Sequence, residues 1–283
     1  MQANKYLFKK LLYHFTIGCT SMAGRNHLGR ICVFHKGGGN KRKYRYIDFF
    51  RRVNDFGIIV KIFKDSFRTA FTAFVLYRNG LFAHIVMAEG LDQGSYVYSG
   101  YTLPVIPKID RNADDEETRH ILKLERSLYG SGSALPIRHL TLFTKVNNVE
   151  LYPHSGSVLC RSAGVSALYI GYEAGRSLLK LNSGWQLSVN SDSMATIGIV
   201  SNFLHRYYNF EKAGAKRLRG IRPTVRGVAK NPCDHPHGGG EGKASPPRAQ
   251  VSPWGKLTKG TPTTNKKKSR LNRRLFKNID KNI

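Results

Sequence analysis

The residues best equipped for chemistry stand between Arg222 and Lys243, in the run RPTVRGVAKNPCDHPHGGGEGK. Asn231, Cys233, Asp234, His235, His237 and Glu241 follow one another there at intervals of a few positions. Such a set is open to three chemistries. His235 could act as a general base oriented by Asp234. Cys233, His235 and His237 could supply three ligands to a metal ion. The imidazoles could instead hydrogen-bond to RNA or to their own turn. Adjacent Asp and His side chains are poorly placed for a triad-like hydrogen bond, and no activated nucleophile accompanies them. No second Cys/His pair follows at zinc-finger spacing. The third reading is preferred, so no catalytic residue and no metal ligand is assigned.

The same run cannot be a helix or a regular strand, because Pro223, Pro232 and Pro236 remove backbone donors and fix φ. It has almost no large apolar side chains, so it needs an external surface to fold against. Arg222, Arg226, Lys230 and Lys243 suggest a polyanion, and Gly238, Gly239 and Gly240 allow backbone amides close to phosphates. A second basic block, HKGGGNKRKYR, repeats the theme near the N-terminus. Arg25, Arg30, Lys36, Lys41, Arg42, Lys43 and Arg45 would neutralise phosphates, with Gly37, Gly38 and Gly39 permitting close packing. A P-loop is excluded, since GGGNKRK lacks the required spacing. Phe34, Tyr44 and Tyr46 offer stacking surfaces for unpaired bases. Tyr44 and Tyr46 share one face of a strand, however, and packing a barrel would explain them equally.

Charge supports the same class of partner. Lys and Arg total 46 against 18 Asp and Glu, a net charge of +28, which implies nucleic acid or an acidic membrane. Residues 1–52 carry +11, residues 214–283 carry +15, and residues 53–213 only +2. Two cationic ends flank a nearly neutral middle, the pattern of a folded body with RNA-grasping extensions. No apolar run reaches the roughly 18 residues that span a bilayer, so no membrane partner is expected. Cys19, Cys32, Cys160 and Cys233 are too dispersed for a disulfide framework, and a reducing compartment is expected.

The elements that position these residues read as all-β. Lys43–Phe49, Gly57–Phe63, Phe71–Tyr77 and Leu81–Met87 are rich in β-branched and aromatic residues, with Asn79-Gly80 as a hairpin turn. A second set comprises Asn148–Tyr152, Ser157–Leu159, Ala167–Tyr172, Ser177–Leu181 and Gln186–Val189. Between the sets, Asp114, Asp115, Glu116 and Glu117 open a helix whose Leu122, Leu124 and Leu128 seek apolar contacts. That acidic segment, 107–133, is a poor RNA ligand and is expected on the surface of any assembly, against a neighbouring protein. Trp185 falls in a strand region and reads as core; His84 and His205 read as ordinary buried or half-buried histidines. Trp254 follows Pro253 and could stack on a base or sugar. Beyond Gly214 no apolar periodicity remains, and an extended tail is expected.

Several blocks, in order, resemble the universal L two family of large-subunit ribosomal proteins. They are GRNHLGRICVFHKGGGNKRKYRYIDFFR (24–51), RSAG (161–164), AGAKRLRGIRPTVRG (213–227), the His235 run and VSPWGKLTKG (251–260). The resemblance implies a division into an N-terminal arm (1–23), an OB-like barrel (24–106), the acidic insertion (107–133), an SH3-like barrel (134–213) and a basic tail (214–283). It adds Asn26, Arg161, Ser162, Lys216, Arg217, Arg219, Asn231, His235, His237, Trp254 and Lys256 to the expected rRNA-contacting residues. It implies a structural constituent that binds large-subunit rRNA near the peptidyl-transferase centre, contacts other large-subunit proteins and helps to join the small subunit. A homo-oligomer is not expected. Nor is a cofactor, apart from magnesium that rRNA would carry. The rivals are a nucleic-acid enzyme using Asp234 and His235, and a free RNA-binding module. Cys233 and Lys230 depart from the family pattern, as do residues 244–250. High Phe, Tyr, Ile, Asn and Lys usage suggests an AT-rich genome, and a mitochondrial ribosome is expected ahead of a plastid or bacterial one. Residues 1–15, basic and aromatic, read as an rRNA-contacting arm ahead of a targeting segment.

Overall fold

The computed structural model describes residues 10–104, 116–242, 248–260 and 276–277. Residues 1–9, Asp114, Asp115, Lys243 and the basic run at 265–275 lie outside the described residues.

Period-two patterning builds the first strand group. β1 (Thr16–Cys19) pairs with β2 (Arg42–Arg45), while β3 (Asp55–Lys64), β4 (Phe71–Tyr77), β5 (Phe82–Val86) and β6 (Tyr96–Ser99) form an antiparallel group ordered β6-β3-β4-β5. In β4, Ala73, Val75 and Tyr77 point into a core with Ile59, Ile85 and Val97. Phe74 points to the other face, against Phe82 and His84. The expected hairpin is present: Gly80 sits at φ +82°, and the Tyr77 N–H donates to the Leu81 carbonyl at 2.9 Å.

The second group comprises β7 (Ala134–Pro136), β8 (Lys145–Asn147), β9 (Val149–Glu150), β10 (Ser157–Leu159), β11 (Ala167–Glu173), β12 (Arg176–Leu181), β13 (Gln186–Asn190) and β14 (Met194–Ile197). Leu135, Val146, Tyr169, Leu179, Leu187 and Val189 form its core. β6 and β7 run parallel, Ser99 opposite Ala134, so the two groups share one compact unit around Arg42–Tyr208. Arg51 helps to join them. It is buried at φ +52°, and its guanidinium donates to Ser99 Oγ and to the carbonyls of Tyr98 and Gly132.

The helix Glu116–Leu128 forms where its acids predict, and its C-terminal end is anchored in the protein. Leu128 is buried in the second core, Ser133 Oγ bridges the Ser127 carbonyl and the Tyr98 N–H, and the Gly132 N–H donates to Ile197. One expectation is corrected here: Trp185 is not core. It occupies the β12–β13 turn, its carbonyl accepting from Leu181, and is 43% exposed; the strand pattern conceals the turn that Gly184, at φ +86°, creates.

His84 is buried among Phe15, Phe63 and Phe74, and neither ring nitrogen has a hydrogen-bond partner. Burial, followed by the nearby Arg45 charge, lowers its pKa from 6.5 to about 4, against an opposing pull from Asp65. The unfolded chain therefore takes up this proton first as pH falls. The associated stability is complete above pH 6.5 and is lost between there and pH 4, at most about 3 kcal/mol. His84→Phe should flatten this part of the stability profile. Denaturant titrations at pH 7 and pH 4.5 check it: equal acid losses in both proteins would exclude His84 as the source.

Candidate nucleic-acid interface

Thr20–Lys41 packs with the described residues from Asn209 to Gly260 as a second unit. The N-terminal basic block thus supplies the surface against which the prolines and glycines of 222–242 fold. The Gly37 N–H donates to the Gly220 carbonyl at 2.9 Å, Asn40 to Leu218 at 2.9 Å, and Arg222 to His35 at 2.8 Å. This backbone contact explains two glycines of the triplet. A Cβ on Gly39 would lie 2.6 Å from the Leu218 carbonyl oxygen, and one on Gly37 would lie 2.8 Å from the Arg222 side chain. Gly38 has nothing within 4 Å and remains open. A short helix, Ala213–Leu218, carries Lys216 and Arg217, so the tail begins with more order than its composition predicts. Asn26 closes its own loop, its Oδ1 accepting from the N–H groups of Leu28 and Arg30.

Arg25, Arg30, Lys36, Lys41, Lys216, Arg217, Arg222, Arg226 and Lys256 are exposed, and among the described residues none of them pairs with a carboxylate. Arg219 lies over the Phe210 ring, 4.5 Å from its centroid. Lys230 is half-buried, its ammonium 4.7 Å above the Phe34 ring. Concentrated positive charge without internal neutralisation is the electrostatic footprint of a polyanion site.

The histidine run is a tightly wound loop. Asp234 and His235 N–H groups both donate to the Asn231 carbonyl, Gly238 donates to His235 and Gly239 to Lys230. His235 and His237 are buried with ring centroids 4.7 Å apart. His235 Nδ1 accepts from the His237 N–H at 3.0 Å, and His237 Nε2 accepts from the Val251 N–H at 3.1 Å. Burial, then the His237 and Lys230 charges, lower the His235 pKa. A neutral ring whose Nδ1 is already occupied holds the turn together. No hydrogen bond links it to the exposed Asp234, and the orienting contact of a general base is missing. Gly227 lies under the ring; a Cβ there would meet His235 at 2.6 Å. Gly240 is exposed at the end of the loop.

The remaining candidates lie in the barrel unit. Arg42 covers the Phe67 ring at 4.5 Å, and Lys43 is exposed near Tyr13. Arg45 is committed to the protein, pairing at 2.9 Å with buried Asp65, which also holds Arg68. Tyr44 packs edge-on against Phe67 and Tyr46, so it serves the barrel, while Tyr46 stays 51% exposed. In RSAG, Gly164 turns the chain at φ +69°, Ser162 is exposed, and Arg161 stacks 4.7 Å over Phe49.

One feature of the second unit escapes sequence reasoning. Arg25, residues 31–36, residues 222–225 with Gly227, Lys230 and His235, and residues 253–254 line a common groove of about 670 Å³. Its three segments are far apart in the chain, and only Trp254, which follows a proline, signals it.

Comparison with known proteins decides the family. A family model described as Ribosomal Proteins L2, RNA binding N-terminal domain, matches residues 14–99, and one described as Ribosomal Proteins L2, C-terminal domain, matches residues 130–255. The large ribosomal subunit protein uL2 of Cereibacter sphaeroides is 42% identical over 253 residues, covering 89% of this chain and 82% of the relative. The chain belongs to the L2 family of ribosomal proteins. Its uL2 relatives in Paracoccus denitrificans (43% identical, 89% of this chain and 82% of the relative) and a Wolbachia from Brugia malayi (42%, 89% and 83%) match to the same extent. The two L2 domains correspond to the expected OB-like and SH3-like barrels. Residues 100–129, with the whole of the helix Glu116–Leu128, lie between the two L2 matches.

Proposed function

We propose that this L2 protein is a structural constituent of the large ribosomal subunit, binding rRNA through its second unit and the exposed cations of its first barrel, without catalysing a reaction. The carrying observation is the set of unpaired exposed Lys and Arg side chains on a unit held together by backbone contacts and by the two histidines. An L2 RNA-binding domain in the matched N-terminal span supports it. The family resemblance extends the reading to a location near the peptidyl-transferase centre, to other large-subunit proteins as neighbours, and to a second barrel that faces the small subunit. We place the ribosome in a mitochondrion on amino-acid usage; the bacterial relatives make a bacterial ribosome the alternative. Sedimentation decides both points. The chain should remain with the large subunit through a high-salt wash and should be found in organelle extract; release by salt would indicate a transient binder.

The phosphate clamp has its own test. Free-chain affinity for large-subunit rRNA should fall with salt by up to about 0.9 log unit per log unit of salt for each phosphate neutralised. Replacing Arg222, Arg226 and Lys230 with Ala should reduce that slope by roughly 2 to 3. An unchanged slope in filter-binding titrations would exclude these three from phosphate contact.

A further inference from the structure

We propose that the groove of the second unit is a seat for one unstacked nucleotide of single-stranded RNA, its base against Trp254 and Phe34 and its phosphate on Arg222 and Lys36. This seat presupposes the rRNA-binding role above. The first ground is the state of the two aromatics. Trp254 is 68% exposed and Phe34 51%, yet both line the same concavity. Large aromatic surface left in water at a concave site, rather than scattered singly, marks a binding position.

The second ground is that the backbone under both rings is held in place. Trp254 sits at the tip of a tight hairpin: Val251 bridges Leu257, the Ser252 N–H donates to the Lys256 carbonyl at 2.8 Å, and Gly255 at φ +78° closes the turn. The hairpin is tied to the histidine loop through the Val251 N–H and His237. Phe34 lies in a turn closed by the Lys36 N–H on the Val33 carbonyl, with the Lys230 ammonium over its ring. A backbone already ordered lowers the entropy that must be lost when a base stacks on the rings it carries.

Charge and size then select the occupant. Arg25, Lys36, Arg222 and Lys230 line the groove, and no carboxylate does. A cationic rim over an aromatic floor complements a nucleotide, with a π-face and an anion on adjacent atoms, far better than it complements an apolar peptide. The volume, about 670 Å³, lies within the range of small-ligand sites. A paired base buries both faces in its stack and cannot enter, so the seat discriminates single strand from duplex. His235 lines the same wall; with Nδ1 taken by the His237 N–H, its Nε2 is the nitrogen left to donate.

Fluorescence of the full chain carrying Trp185→Phe, which leaves Trp254 as the sole tryptophan, tests this. Titration with a short unstructured RNA should quench Trp254. An RNA duplex of equal charge and inorganic polyphosphate should bind without quenching. Adding Phe34→Ala should weaken single-strand binding roughly 10- to 100-fold and leave duplex binding and the salt slope unchanged. Trp254→Phe should retain most of the single-strand affinity that Trp254→Ala loses. Circular dichroism confirms that each variant is folded. Equal quenching by duplex or polyphosphate would overturn the seat, as would unaltered single-strand affinity in Phe34→Ala and Trp254→Ala. Failure to bind any RNA would instead overturn the rRNA-binding reading.

Discussion

Gly238→Ala is expected to disrupt the histidine loop and to lower rRNA affinity tenfold or more, while Gly214→Ala leaves binding intact. A Cβ on Gly238 would lie 2.3 Å from the Asn231 carbonyl oxygen and 2.5 Å from that of Lys230. Both are backbone atoms, and both carbonyls already accept hydrogen bonds that wind the loop, from His235 and from Gly239. No flexible side chain can give way, so the loop must open. Overpacking of this kind costs about 1–3 kcal/mol and sometimes more. The segment has few apolar contacts from which to recover it, which favours local opening over global unfolding. Gly214 differs in every respect. It lies inside the helix Ala213–Leu218 with nothing within 4 Å, so Ala there should stabilise by up to about 1 kcal/mol. Hydrogen exchange should show lost protection at 230–242 in Gly238→Ala, with the barrel strands unchanged. Normal protection and normal affinity in that variant would mean that the loop's winding is not what presents the basic surface.

That contrast shows what the residue string discloses and what it hides. The long central strands are legible because side chains alternate across them: Phe71–Tyr77 coincides with its predicted limits. β6, β7, β8 and β14, of three or four residues, go unpredicted, because runs of that length give only a weak periodic signal. The polyanion partner is legible from charge, because charge survives any fold. Which glycine serves RNA and which serves the protein is not. Gly37, Gly39 and Gly238 are explained by contacts with Arg222, Leu218 and Asn231, partners fixed by tertiary structure alone. Arg45 shows the same limit, reading as one cation of a basic block but spent on buried Asp65. His235 sits in a run that invites a catalytic reading, and only the acceptor role of Nδ1 shows that it closes a turn.

Nothing in the sequence around Glu150 marks it, and its replacement should be the most destabilising single change in the barrel unit. The carboxylate is fully buried and has no cationic partner among the described residues. Four donors compensate it. Gly156 N–H binds Oε1 at 2.8 Å, Met194 and His154 N–H groups bind Oε2 at 3.1 and 3.2 Å, and the Tyr101 hydroxyl donates to both oxygens. One side chain thus ties the 150–156 loop, the start of β14 and the segment after β6 together. Hydrogen bonds to an ionised group contribute about 1.5–3 kcal/mol each, and stranding several buried N–H groups adds their desolvation cost. Glu150→Ala should therefore cost about 3–5 kcal/mol, a large fraction of the stability of an ordinary domain. Glu150→Gln should also be costly, because its amide nitrogen would face at least one N–H donor. Tyr101 supplies an independent readout. Burial, then the hydrogen bond to Glu150 and its charge, raise its pKa to about 12. The stability linked to this phenol is complete below pH 10 and is lost as pH rises towards 12. In Glu150→Gln the charge is gone, and one phenol should titrate closer to the ordinary value near 10 in a difference absorbance titration. A loss below 1 kcal/mol in urea unfolding of Glu150→Ala, with the phenol titration unchanged, would show that the loop and β14 hold their positions without this carboxylate.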